Sequence, residues 1–556
     1  MIKLNYFIIM KRAIFYFLTA ILLFSNCKSS ETPVKKPKLV IGIVIDQMRY
    51  DYLTRFADRY GEGGFNRILK NGFSLENAHY NFIPTYTAVG HASIFAGTSP
   101  SNHGIISNNW YDKVLKKSIY CVDDTNYKTI GNNGIVGQKS PHRLYTTTVT
   151  DQLHLAQNMQ GKTIGIAIKD RSAILPVGHT ANAAYWYDAE NKNQWITSSF
   201  YMEELPSWVQ KFNTDNKADE YLNQTWETLY DIKTYTQSRT DNNSYEINLK
   251  GQEKPVFPKD LKELRKTNGN FSLIKTIPAG NTYTVDFAKA VIKGEQLGKT
   301  AFTDFLTVSF SSTDYVGHRY GVAAIETEDT YLRLDKDLAH FFNFLDTEVG
   351  EGNYTLFLTA DHAAVHVPSY LQSLKIPAHY INTKELQKFL SEVTQKYFNS
   401  KELIENVSNY QIFLNKAKIE ALGFNKNTVA QRLADEVLNF DKIYKAVTAK
   451  TLKTNNFTEG IMHALQQGYN PKFSGDVLMI PYPATLNGGN KGTSHGSGYS
   501  YDTHVPLIFY GNGIKKGVSK KPYKIIDIAP TISNLLKIEA PNGTSGKIIE
   551  EVLKNN

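Results

Sequence analysis

The sequence predicts an α/β protein: a mostly parallel central sheet with helices on both faces, interrupted by two inserted segments that form a cap. Three observations carry that expectation. Apolar, β-branched runs at 38–45, 162–168, 304–310 and 354–359 read as strands buried on both faces. Helical patterns separate them, the alternation that builds parallel sheets. Each run also ends in polar residues, and open α/β sheets build their sites at the carboxyl ends of their strands.

Taken in order, residues 1–27 read as an export signal. Lys11-Arg12 precede an apolar run at 13–24, too short to span a bilayer comfortably, and Ser25-Asn26-Cys27 follow. Cys27 stands where bacterial lipoproteins carry the acylated cysteine, although Asn26 replaces the small residue usual before it. A lipid anchor at Cys27 and ordinary cleavage nearby both stay open. The mature chain is expected to be exported, periplasmic or held by lipid to the outer side of a bacterial membrane, with no membrane-spanning segment. Residues 28–37 are a polar linker, and 38–556 form one large domain with insertions near 180–280 and 370–470.

The first strand, 38–45, ends at Asp46, which by itself reads equally as a helix N-cap. A short strand at 75–80 leads to the turn Pro84-Thr85-Tyr86-Thr87, and 88–96 form a helix whose N-terminal N–H groups favour an anion near Thr87. A helix at 151–159 precedes the strand 162–168, which ends at Lys169-Asp170-Arg171. The aromatic-rich stretch from about 180 to 280, with strands near 181–187 and 195–201, is expected to lie over the core. A helix at 285–297 leads to the strand 304–310 and then Asp314-x-x-x-His318. The next helix carries Tyr331, Leu334, Leu338, Phe342 and Leu345, a core stripe. The strand 354–359 ends at Asp361-His362. Helices at 384–397 and 428–440 lie in the second insertion. The core is expected to resume at 476–481, before a glycine-rich loop holding His495, a strand at 505–510 and a closing helix at 527–536.

Forty-one per cent of residues are hydrophobic and 21 per cent charged, the balance of a globular protein with a large core. Loss of Lys3, Lys11 and Arg12 with the signal lowers the formal charge from +9 to +6. A mild positive excess suits an anionic substrate. No dense basic stripe with interleaved aromatics points to nucleic acid. Of the two cysteines, Cys121 has no partner once Cys27 is set aside, so no intramolecular disulfide is expected.

Asp46, Asp314, His318, Asp361, His362 and His495 all fall at strand exits or in the late loop. Three carboxylates and three imidazoles suit two zinc ions. Each alone is weak, since a lone loop histidine is more often a hydrogen-bonding residue. His362 and His366 have the spacing of a zinc-protease helix, but Ala363 stands where its glutamate is required. His366, His91 and His103 are therefore read as structural or outer-shell residues.

Together with the Thr87 turn, these residues resemble the alkaline phosphatase superfamily, from about residue 38 to the end. Lys169-x-Arg171 with Asn108 resembles its phosphate-irrepressible, PafA-type bacterial members. The resemblance implies an alkaline phosphatase-like catalytic domain that hydrolyses small-molecule phosphate monoesters. It implies one zinc on Asp314, His318 and His495 and a second on Asp46, Asp361 and His362. It makes Thr87 the nucleophile that becomes a phosphothreonine, and assigns Asn108, Lys169 and Arg171 to the phosphate oxygens. On the residues alone, Lys169 and Arg171, at alternating positions after a strand, could both reach one phosphate, while surface charge is the commoner fate of Lys and Arg. The nearest rival is a phosphodiesterase/nucleotide pyrophosphatase of the same superfamily; a metal-stabilised surface binding protein is a third reading. A sulfatase is disfavoured, because its Cys/Ser-x-Pro-x-Arg sequence is absent around Thr87.

Overall fold

The structure, a computed structural model, describes residues 35–190 and 192–554. The export signal, Cys27 and most of the linker lie outside them. Residues 36–553 form one compact unit.

Its centre is a ten-stranded sheet. In chain order its strands are β1 (Leu39–Ile45), β2 (Phe73–Leu75), β3 (Thr129–Ile130), β4 (Thr163–Ala167), β5 (Ala183–Asp188), β6 (Gln194–Ser198), β7 (Asp304–Phe310) and β8 (Tyr354–Thr359). A second sheet contributes β9 (Ile404–Ser408), β10 (Gln411–Leu414), β11 (Ile443–Thr448) and β12 (Val477–Pro481); β13 (Leu507–Gly511) and β14 (Gly517–Ser519) complete the first. The spatial order of the large sheet is β14-β2-β13-β8-β1-β7-β4-β5-β6-β3. The run β8-β1-β7-β4-β5 is parallel throughout. Antiparallel pairings add β13 on one side and β6 on the other, so the sheet is mixed at its flanks. Four neighbouring strands therefore end at one edge, and their exits are Asp361, Asp46, the Asp314 turn and Lys169.

The parallel core reads as continuous apolar sequence because both faces are covered. Every residue of β1, β4, β7 and β8 is buried. The main helices are α1 (Thr87–Ala96), α2 (Val149–Ala156), α3 (Asp170–Val177), α4 (Ala279–Gly294), α5 (Ser312–Tyr320) and α6 (Ile325–Leu345). The Tyr331, Leu334, Leu338, Phe342 and Leu345 stripe of α6 is buried as its spacing predicts.

Two expectations about the insertions change. Residues 183–198, read as part of a covering insertion, form β5 and β6 of the central sheet; β5 is buried along its whole length and packs against α3. Residues 476–481, read as a return to the core, form β12 in the separate four-stranded sheet β9-β10-β12-β11. A short apolar run shows that a strand is buried, not which sheet buries it. Helices α7 (Thr383–Phe398) and α8 (Lys426–Glu436) pack on that second sheet around their own apolar cluster. The chain returns from it through the loop that carries His495, and α9 (Ile528–Leu536) closes the fold.

Candidate active site

Asp46 leaves β1 with its N–H bonded to the carbonyl of Phe310 at the end of β7, 3.1 Å away. Gln47 follows in the left-handed region at φ 65°, which turns the chain sharply. Its backbone N–H then donates to Asp361 Oδ1 at 3.1 Å, and its side-chain amide donates to Asp314 Oδ1 at 2.6 Å. One buried glutamine thus ties three strand exits together. A Cβ on Gly317 would lie 2.0 Å from Gln47 Oε1, so the glycine inside Asp314-x-x-x-His318 admits that side chain.

The helix α1 starts at Thr87. No N-cap side chain serves it; instead Asn108 Oδ1 accepts the Ala88 N–H at 2.8 Å, one of the donors a helix start leaves without an internal partner. Thr87 Oγ1 lies 3.4 Å from His362 Nε2. Thr85, the other hydroxyl of the turn, donates to the Ser497 carbonyl at 2.9 Å. His91 Nδ1 donates to the Thr87 carbonyl at 2.8 Å, and Nε2 meets Ser309 Oγ at 2.9 Å. Burial lowers the His91 pKa to about 4, so it is a neutral brace for the turn.

The six predicted ligands converge. Two groups place their ligand atoms within 4.8 Å of one another: Asp46 with Asp361 and His362, and Asp314 with His362 and His495. His318 joins through Asp314, its Nε2 3.0 Å from Oδ1. His362 therefore stands between the groups, stacked on His495 with ring centroids 3.4 Å apart. Each histidine has Nδ1 turned to a backbone carbonyl: His318 to Thr493 at 2.7 Å, His495 to Thr85 at 2.7 Å and His362 to Ala363 at 3.1 Å. A carbonyl only accepts, so Nδ1 carries the proton and the Nε2 lone pair is directed at the carboxylates. That is the tautomer a ligating histidine requires. Asp46 Oδ1 and Asp361 Oδ2 are buried with no hydrogen-bond partner, a cost that cation binding would offset. The donor set and these two orphaned oxygens fit a pair of divalent cations.

The electrostatics reflect three carboxylates crowded together. Burial raises Asp46 well above its ordinary pKa, helped by Asp361, and lifts Asp361 to about 7. Asp314 goes the other way: burial opposes ionisation, but His318, Lys169 and His495 together hold it well below the carboxylate range. Burial, reinforced by neighbouring histidines, depresses His362 strongly and His495 to about 3.

Lys169 is not a surface charge. It is buried, and Nζ donates to Asp46 Oδ2 and Asp314 Oδ2, 2.6 Å each, bridging the two ligand groups. Arg171 sits two residues on, in the first turn of α3. Its Nη1 donates to Tyr120 OH at 3.0 Å, and the Tyr120 hydroxyl donates to Asp170 Oδ1 at 2.5 Å. Arg171 Nε is buried without a partner.

His103 bonds Ser93 Oγ at 2.8 Å and accepts the Ile105 N–H, a packing role. His366 enters neither ligand group; burial and Arg49 lower its pKa to about 4.

A family model described as type I phosphodiesterase / nucleotide pyrophosphatase matches residues 40–500. Alkaline phosphatase PafA of Elizabethkingia meningoseptica is 44% identical over 524 residues, 94% of this chain and 95% of the relative. The chain belongs to the type I phosphodiesterase family, in its PafA-type alkaline phosphatase branch. A crystal structure of wild-type PafA matches with a TM-score of 0.90 at 43% identity, covering 94% of this chain and 100% of that one. A second, of a variant altered at a threonine, an asparagine, a lysine and an arginine, matches with the same TM-score of 0.90. A Myroides odoratus protein named calcium-transporting ATPase is 45% identical over 535 residues, 96% of this chain and 97% of the relative.

Gln47 and Tyr120 escaped sequence reasoning in this PafA-type site, whereas His91 holds the outer, structural place expected of it. Gln47 had one signal, its place directly after the Asp46 strand exit. Tyr120 had none, because only folding brings residue 120 beside 171.

Proposed function

We propose that the chain hydrolyses phosphate monoesters through a phosphothreonine at Thr87. Two zinc ions are held by Asp46, Asp361 and His362 and by Asp314, His318 and His495. Bound there, the ions supply Lewis-acid charge for an attacking hydroxyl and a departing oxygen. Thr87 Oγ1 attacks phosphorus: the Oγ1–P bond forms, the ester P–O bond breaks with its electron pair on the departing oxygen, and the proton lost by the Thr87 hydroxyl is balanced by the one the released alcohol gains. Water then cleaves the phosphothreonine, releasing phosphate and restoring the hydroxyl. The start of α1 favours negative charge beside Thr87. Asn108, its Oδ1 committed to Ala88, has its NH₂ to donate to a phosphate oxygen. Arg171 offers a planar fork and Lys169 a point charge to the others. Zinc held by Asp46 and Asp314 would supply the positive charge that Lys169 now gives these carboxylates, which would leave its Nζ for a phosphate oxygen.

The observation that carries this reading is the meeting of Thr87 with His362, one of three clustered histidines whose Nδ1 atoms are all fixed on carbonyls. The altered threonine, asparagine, lysine and arginine of the PafA variant are the residue types of Thr87, Asn108, Lys169 and Arg171 in the same chain order. The diesterase reading is favoured by the family description. Against it stand two cations at one strand exit, which suit a dianionic monoester better than a singly charged diester. Among the described residues no helix is long and apolar enough to cross a membrane. The ATPase half of the Myroides relative's name needs only the same transfer of a terminal phosphoryl group.

The test compares p-nitrophenyl phosphate with bis-p-nitrophenyl phosphate, with and without chelator. Chelator-sensitive turnover faster on the monoester is expected. Faster diester turnover overturns the assignment; two bound zincs with no turnover of either favours a binding protein. Export through residues 1–27, ending in lipidation at Cys27 or cleavage nearby, is part of the proposal. Mass spectrometry of the mature N terminus distinguishes them.

A further inference from the structure

A cavity of about 330 Å³ lies between the second sheet and the turn before Thr87. It shares two residues with the site: Tyr86, bonded to Thr87 in the chain, and His495. The Tyr86 ring stands edge-on to the His495 ring, centroids 5.7 Å apart. Gly496, at φ 121°, is needed there, since a Cβ would lie 2.5 Å from Tyr86 Cε1. On the far side, Val407 of β9 and Leu478 and Met479 of β12 form an apolar wall. Tyr410, Tyr499 and Tyr501 add aromatic surface.

Two residues of the lining, Thr485 and Asp502, each carry a polar atom closed off from its surface. Thr485 Oγ1 and Asp502 Oδ1 are buried with no hydrogen-bond partner. Asp502 Oδ2 is committed to the Ser497 N–H and hydroxyl, at 2.8 and 2.6 Å, which leaves Oδ1 over. Burial lifts the Asp502 pKa to about 7.

We infer that this cavity is the subsite for the organic group of the phosphate ester, and that it selects flat aromatic groups. The inference rests on the monoesterase reading. Tyr86 and His495 link cavity and phosphate seat, so a phosphate at Thr87 would direct its ester substituent past them into the cavity. Volume sets the size class: small-ligand pockets begin near 300 Å³, which admits a single or fused ring and not a large chain. The walls set the chemistry, because tyrosine faces and edges favour aromatic partners over alkyl ones of equal area. The residues facing the group come mostly from the segment 379–487, so the cap confers leaving-group preference while the sheet edge performs the chemistry.

The test measures binding of phenylphosphonate, methylphosphonate and inorganic phosphate to the metal-loaded protein, by calorimetry and by competition against p-nitrophenyl phosphate. Each phosphonate is expressed relative to phosphate on the same protein, which cancels any change at the phosphate seat. Phenylphosphonate should bind on the order of tenfold or more tighter than methylphosphonate. Leu478→Trp, which fills the cavity, should bring that ratio to near one. Leu478→Ala, which enlarges it, should raise 1-naphthylphosphonate relative to phenylphosphonate and serves if the tryptophan variant does not fold. Phosphate binding with equal affinity for the two smaller phosphonates, or a ratio unmoved by both variants, overturns the subsite alone. Binding of none of the three anions overturns the phosphate site and the subsite with it.

Discussion

Replacing Gln47 by leucine removes one polar side chain that touches no substrate, yet it should weaken metal binding and catalysis together. Its amide donates to Asp314 at 2.6 Å while its backbone N–H holds Asp361 at 3.1 Å, so it orients one carboxylate from each ligand group. A hydrogen bond to a charged group contributes about 1.5–3 kcal/mol. Loss of an outer partner of a metal ligand typically lowers affinity by about ten- to a hundredfold. Gly317→Ala should have the same effect from the opposite side, because its Cβ would come within 2.0 Å of Gln47 Oε1 and push the amide off Asp314. Since both variants break one contact, their combination should cost little more than either alone. The assay is zinc retention against a graded chelator, with kcat/KM on p-nitrophenyl phosphate recorded in parallel. Unchanged zinc affinity in Gln47→Leu refutes the reasoning. Fully additive losses in the double variant show that the two residues act separately.

Thr87→Ala should abolish the phosphoenzyme and turnover while zinc content, measured by elemental analysis, stays intact; a normal rate moves the nucleophile elsewhere. Lys169→Ala with Arg171→Ala should slow monoesters by on the order of 10²–10³ per lost donor, and diesters far less; equal losses on both substrates make the pair structural. Tyr120→Phe, which frees Arg171 Nη1 while keeping the ring, should raise KM for monoesters and leave zinc content unchanged; an unaltered KM shows that Arg171 needs no such hold. Asp337, buried in α6 and accepting from Thr282 Oγ1 at 2.9 Å, has its pKa pushed up to about 7 by burial. A carboxyl raised on folding stabilises fully below its unfolded pKa and loses that contribution as pH climbs through the folded value. Melting temperature should therefore fall between about pH 4 and pH 7 in the native chain, and Asp337→Asn should flatten that fall; identical pH profiles show that Asp337 titrates normally.

Much of the site was legible because strand exits announce themselves. Asp46, Asp361-His362 and Lys169 each end an apolar run, and Asp314-x-x-x-His318 follows one closely. The stripe of α6 was equally plain from its spacing. The 180–198 and 476–481 runs were misplaced for a definite reason. An apolar run records burial, while strand pairing depends on partners far away in the chain. The Lys169 side chain was left between two fates, surface charge or phosphate contact, and folding produced a third, the bridge between Asp46 and Asp314.

By itself the sequence determined the alternation of strands and helices and the identity of six ligand-capable side chains, because hydrophobic period and residue chemistry are local properties. The tertiary structure decided which strands are neighbours, and therefore that four exits share one edge. It decided that His362 stands between two ligand groups and that Gln47 braces them. It also decided that Tyr86 and His495 open onto a cavity walled by another sheet. These are distances between residues up to about four hundred positions apart, and only the packing of the whole chain sets them.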